Sequence, residues 1–184
     1  MQYLQNRSFI ASLTSTTPGY EGIIDSVEYS THEGTQRKNE WLTVAAPSTV
    51  EFQQRFWFGY YDGAKPGYQI RTIEFGPGQA HYQTWDLSYG NNVGFYKDVK
   101  SPILWRVWTN GEKLGIPVCQ AYEGVNIAPI SRSSIGVRDR SARENRYVEV
   151  GVANKLFMTL CVEHVDVPLF DGYFKLDDIQ RRRR

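Results

Sequence analysis

On an extended chain, His81, Gln83 and Trp85 of the segment AHYQTWDLSYGNN project to one side, so that an imidazole and an amide stand beside an indole. That combination suits a sugar: the apolar face of the ring rests on the aromatic, and the polar groups bond its hydroxyls. Tyr89, Asn91, Asn92 and Tyr96 follow at once in SYGNNVGFY, which reads as an exposed tip. Tyr60, Tyr61 and Tyr68 flank a second tip, DGAKPG. Tyrosine with Gly, Asn and Ser is the composition of adaptable binding loops, because tyrosine offers a large contact area at low entropic cost. These ten residues form the candidate ligand-binding set.

A second chemistry is basic. Arg138, Arg140 and Arg143 crowd the segment RSSIGVRDRSAR, and the chain ends in Arg181, Arg182, Arg183 and Arg184. Arginine at this density neutralises phosphates, so non-specific contact with nucleic acid or another polyanion is the expectation for the tail. Catalytic and metal chemistry find less support. His32, His81 and His164 stand at no spacing that builds a triad or a zinc site, and no nucleotide-binding or cofactor motif occurs. No catalytic residue, metal or cofactor is therefore assigned. The carboxylates Glu51, Glu74, Asp86 and Glu163 leave a polysaccharide-active enzyme as the remotest alternative.

The elements that must position these residues are strands. Fifteen of the 26 aromatic side chains lie between Phe52 and Trp108, in short runs divided by Gly, Pro, Asp and Asn. Residues 50 to 61, 68 to 75 and 80 to 89 read as three consecutive strands of an antiparallel meander. Residues 103 to 109, Asn110-Gly111 and 112 to 118 read as a tight hairpin, since Asn-Gly supplies positive φ angles. Further strands are expected at 8 to 14, 22 to 30, 40 to 45, 145 to 153 and 156 to 167. The second of these carries the mixed pattern of an edge or a bulge. Residues 123 to 143 lack aromatics and predict a long loop with at most one short strand. No stretch shows a capped helical stripe.

The expected fold is thus all-β: an antiparallel sandwich, jelly-roll-like or another two-sheet meander, of about ten strands with little helix. The 184 residues suit one domain over residues 1 to 180, with 181 to 184 as a basic tail. Charge is balanced, 21 Lys and Arg against 20 Asp and Glu, so no global field recruits a polyanion or a membrane. Cys119 and Cys161 sit in apolar settings and are expected as buried thiols. No signal peptide or membrane-spanning segment is read, which implies a soluble protein made in the cytoplasm, either released or virion-associated. Three functions follow. The first is a non-enzymatic, lectin-like protein recognising a glycan or a protein surface. The second is a self-assembling structural subunit of a capsid, phage tail or similar shell, a homo-oligomer whose aromatics are interface contacts. The third is the enzyme.

Overall fold

A computed structural model describes residues 1–140, 145–173 and 175, with the Arg140 side chain left out. It is all-β, with one short 3₁₀ turn at Pro47–Thr49. The strands are β1 (Gln2–Ser15), β2 (Gly22–Asp25), β3 (Val27–Ser30), β4 (Gly34–Arg37), β5 (Thr43–Ala45), β6 (Arg55–Asp62), β7 (Gly67–Ile73) and β8 (Thr84–Leu87). They continue as β9 (Val93–Tyr96), β10 (Trp105–Thr109), β11 (Glu112–Lys113), β12 (Ala121–Pro129), β13 (Ile135–Arg140), β14 (Asn145–Val150) and β15 (Met158–Val165).

Six of these strands close on themselves. β1 pairs with β6, β6 with β7, β7 with β10, β10 with β12, β12 with β15, and β15 returns to β1, every pairing antiparallel. Closure removes the exposed edges that an open sheet would present. The remaining strands extend this barrel. β2, β5, β14 and β13 continue from the far end of β1, and β8 and β9 continue from β7. Bridges between Trp41 and Gly94 and between Asn92 and Glu149 join these two wings. The result is a closed barrel with added strands, not clearly the two facing sheets that the sequence suggests.

Alternation along β1 explains the packing. Phe9, Ala11 and Leu13 point into the main core, where Phe9 stacks on Phe58 at 4.6 Å between ring centroids. Ile10, on the opposite face, joins Trp57, Ile73, Val167 and Phe170 in a second, smaller cluster. The chain after β15 covers that cluster: the Tyr3 hydroxyl donates to the Val167 carbonyl at 2.6 Å, and Trp57 Nε1 donates to the Pro168 carbonyl at 3.3 Å.

The order of the meander β6–β7–β8 and the Asn110-Gly111 turn, with φ of 50° and 85°, match the expectation, but the strands are shorter: β6 begins at Arg55, β8 spans only Thr84–Leu87, and the second hairpin strand only Glu112–Lys113. Two expectations are corrected. Residues 123 to 140 are not a long loop: they supply most of β12 and all of β13, because Val125 and Ile127 alternate inward without any aromatic. Cys119 and Cys161 are exposed and free, since Leu160 and Val162 take the inward positions of β15 and turn Cys161 outward.

Candidate functional site

The register of β1 against β6 slips between Leu4, opposite Tyr60, and Phe9, opposite Phe58. Five steps along β1 therefore match two along β6, and the surplus residues bulge. Ser8 repairs the ladder there: its hydroxyl donates to the Leu4 carbonyl at 2.8 Å and accepts the Tyr60 N–H at 2.9 Å. Bulges re-aim side chains, and this one lays the Arg7 guanidinium over the Tyr60 ring, 3.8 Å from its centroid. Arg7 Nη2 donates to the Leu114 carbonyl at 3.1 Å.

A cavity of about 370 Å³ opens beside this bulge, within the size range of small-ligand pockets. It lies at the seam where β10 parts from β7, two strands that share the single residue pair Trp105 and Tyr68. Gly67 keeps the seam tight, because a Cβ there would stand 2.8 Å from the Trp105 carbonyl oxygen and 3.0 Å from Ile130 Cδ1. Four cations, Arg7, Lys65, Arg106 and Lys113, line the cavity, and no carboxylate does. Tyr60, Val107, Leu114 and Ile130 give it apolar walls.

Three buried side-chain nitrogens of residues lining this cavity, Arg7 Nε, Trp105 Nε1 and Arg106 Nε, have no hydrogen-bond partner among the described residues, while the Tyr68 hydroxyl meets the Arg7 side chain. Tyr68 is 2 % exposed and Trp105 fully buried. Buried polar groups are nearly always paired, and an unpaired one costs about 1–3 kcal/mol. Burial pushes the Tyr68 hydroxyl well above the ordinary tyrosine range, with the Arg7 charge acting the other way, so the hydroxyl keeps its proton at any neutral pH. Arg106 lies over the Trp108 ring, 4.8 Å from its centroid, and Nη2 reaches the Pro129 carbonyl at 3.4 Å. Neither Arg7 nor Arg106 forms an ion pair among the described residues.

The residues proposed from sequence are scattered. Tyr60 and Tyr68 line the cavity, while Tyr61 packs edge-on against Tyr3 beside the second cluster. His81, Gln83 and Trp85 do not share a strand face. Tyr82 adopts φ of 56° and β8 begins only at Thr84, so alternation does not run through 81 to 85. Trp85 is fully buried, edge-on to Phe56 and Trp105, and offers no face to a sugar. His81 is spent on structure: Nδ1 accepts the Glu74 N–H at 3.1 Å, and Nε2 meets the Gly172 carbonyl at 3.2 Å. Gln83 is half-buried, and its backbone carbonyl accepts the Thr72 N–H.

In the 88 to 96 segment, Tyr89 is fully exposed, but Asn91 and Asn92 serve the turn, each donating its backbone N–H to Ser88. Tyr96 is half-buried, and burial raises its hydroxyl above the ordinary range. Arg138 is exposed and stands 3.5 Å from the Glu149 carboxylate. The Arg140 side chain, Arg143 and Arg181 to Arg184 lie outside the described residues.

Sequence reasoning missed Arg7 and Arg106. The signal available was an arginine set between tryptophans and aliphatics in ILWRVWT, where a solvent-facing strand position would not need two flanking indoles. Among the described residues no group of three or more His, Cys, Asp or Glu is placed to hold a metal ion, and no helix is long and apolar enough to cross a membrane. Comparison with protein-family models, with curated proteins and with solved structures finds no match, so the geometry of this seam is what speaks for its chemistry.

Proposed function

We propose that this chain is a non-enzymatic recognition protein that takes its ligand, a glycan substituent or another small organic group, into the cavity at the β7–β10 seam. The observation that carries the reading is the lining of that one cavity, where Arg7, Lys65, Arg106 and Lys113 stand among Tyr60, Tyr68 and aliphatic walls with no carboxylate among the described residues. Its lining supports binding over turnover: Arg, Lys, Tyr and Trp hold and orient, and no imidazole or carboxylate stands among them to move a proton. The polar and cationic lining keeps a charged glycan substituent in play, at this cavity and not at Trp85.

The test is side-chain NMR during titration with a panel of sugars, sugar acids and aromatic acids. The expected result is perturbation of the Trp105 indole N–H and of the Arg7 and Arg106 Nε–H signals. Perturbations confined to Tyr89, Asn91 and Asn92, or none at all, overturn the reading.

A self-assembling subunit is the second reading. It is favoured by Ile116 and Val118, 68 % and 53 % exposed on one loop around Pro117. Light scattering at low and high salt decides it: a fixed large assembly that Ile116→Ser with Val118→Ser dissolves supports it, and a salt-independent monomer sinks it.

A further inference from the structure

We infer that the seam cavity recognises a fully ionised oxyanion that only accepts hydrogen bonds, a sulfate ester or a dianionic phosphate monoester, carried on a flat organic body. The inference rests on the proposed binding role of the cavity and names the class of ligand. The charged side chains that line the cavity are donors. The guanidinium groups of Arg7 and Arg106 and the ammonium groups of Lys65 and Lys113 carry hydrogen and have no lone pair to give. The Tyr60 and Tyr68 hydroxyls can act either way, and the raised Tyr68 hydroxyl keeps a proton to donate.

A ligand bearing its own O–H or N–H would find few side-chain acceptors, because no carboxylate, amide or imidazole lines the space. An ionised oxyanion satisfies several donors at once, and charge-assisted bonds of this kind are the strong ones. Charge agrees with hydrogen bonding. Four cations face the cavity with no acid among its lining residues, so an anion there relieves like-charge repulsion. Arg7 and Arg106 are already oriented by the Tyr60 and Trp108 rings and by the Leu114 and Pro129 carbonyls, which leaves little to be ordered on binding. The remaining walls, Tyr60, Val107, Leu114 and Ile130, suit the apolar faces of a ring.

Calorimetric titration with phenyl sulfate, phenyl phosphate and uncharged benzyl alcohol tests this, on the intact chain and on Arg106→Met, Arg106→Lys and Tyr68→Phe. Phenyl sulfate should bind equally at pH 5 and pH 7.5, since no carboxylate or imidazole lines the cavity among the described residues. Phenyl phosphate should bind about tenfold more tightly at pH 7.5, because a phosphate ester becomes a dianion around its second pKa of about 6. Arg106→Met should weaken phenyl sulfate about ten- to a hundredfold. Arg106→Lys, which keeps charge but lacks Nε, should recover only part of that loss, and Tyr68→Phe should weaken binding several-fold. Circular dichroism of each variant separates a lost ligand from a lost fold, and Tyr68→Phe keeps the inference testable if both Arg106 variants unfold.

If benzyl alcohol binds as tightly as phenyl sulfate, the anion class is overturned while the cavity still binds. If no probe binds and the Trp105 indole signal never moves, the binding role falls too. Binding that is insensitive to Arg106→Met but abolished by salt assigns the anion to exposed lysines and overturns the inference.

Discussion

Arg37 and the pair Arg7 and Arg106 are the same kind of residue in opposite circumstances. Arg37 meets Asp25 in a fork, Nε to Oδ1 at 2.7 Å and Nη2 to Oδ2 at 2.9 Å, and Nη2 also donates to the Phe52 carbonyl at 2.8 Å. Asp25, fully buried, accepts further from the Ser26 N–H at 2.7 Å and the Gln54 N–H at 3.4 Å. That site is electrically closed. At the seam, two guanidiniums share a cavity with two lysines and no carboxylate. The contrast separates charge paired within the fold from charge with no carboxylate partner among the described residues, and each half predicts a different response to mutation.

The largest expected effect is at the closed site. Asp25→Ala leaves the Arg37 guanidinium and two backbone N–H groups without their acceptor, and breaking a buried pair from one side destabilises by about 3–5 kcal/mol. Urea unfolding measures it. A loss under about 1 kcal/mol would remove the contrast, because Asp25 would then be no more structural than the seam arginines.

Next comes the residue that links fold to seam. Ser8→Ala deletes the hydroxyl that accepts the Tyr60 N–H and donates to the Leu4 carbonyl. A buried N–H left unpaired costs about 2 kcal/mol. Because the same bulge carries Arg7, phenyl sulfate affinity should fall along with stability. Stability falling alone would mean that the bulge does not set the arginine.

Tyrosines repeat the comparison in neutral form. Burial raises both Tyr3, to about 12, and Tyr68, but the Tyr3 hydroxyl donates to the Val167 carbonyl while that of Tyr68 meets the Arg7 side chain. Tyr3→Phe should therefore cost about 1 kcal/mol at neutral pH, because it leaves a buried carbonyl without its donor, and Tyr68→Phe less. The pH dependence follows from the raised proton affinity of the folded state. Stability from Tyr3 is intact below pH 10, the unfolded value, and is lost as pH rises through about 12. Melting temperature from pH 9 to 12 should fall less steeply in Tyr3→Phe than in the intact chain, and equal slopes would contradict the assignment.

What the sequence made legible was local. Asn110-Gly111 fixes its hairpin through two φ angles, and the meander through Tyr60 and Tyr68 needs only turn residues and short aromatic runs. Closure was not legible, because β1 meets β15 through pairs such as Phe9 with Val165, some 150 residues apart, and nothing near either strand records the other. The residues lining the candidate cavity were legible only in part, for the same reason. Tyr60 and Tyr68 were singled out as binding tyrosines, though on the expectation of an exposed tip. Arg7 joins them only through a register slip that is a property of the pairing and not of either strand. Trp85 was misplaced because one residue, Tyr82 at φ of 56°, breaks the alternation on which a shared face depends.

The smallest effect is the most discriminating. Arg106→Met keeps the volume and apolar stem of the side chain, and removes a charge that has no carboxylate partner among the described residues and an Nε that has no acceptor. What is lost is a carbonyl contact at 3.4 Å and a cation over the Trp108 ring, each worth no more than about 1 kcal/mol. What is gained is release from desolvation. Replacing buried charge by a hydrophobe of similar size is often neutral or stabilising, so unfolding should shift by less than about 1 kcal/mol in either direction. A shift as large as that of Asp25→Ala would make Arg106 part of the scaffold. A near-zero shift, together with the loss of phenyl sulfate binding, leaves ligand recognition as the reason for keeping an arginine at a position where the fold does not need one.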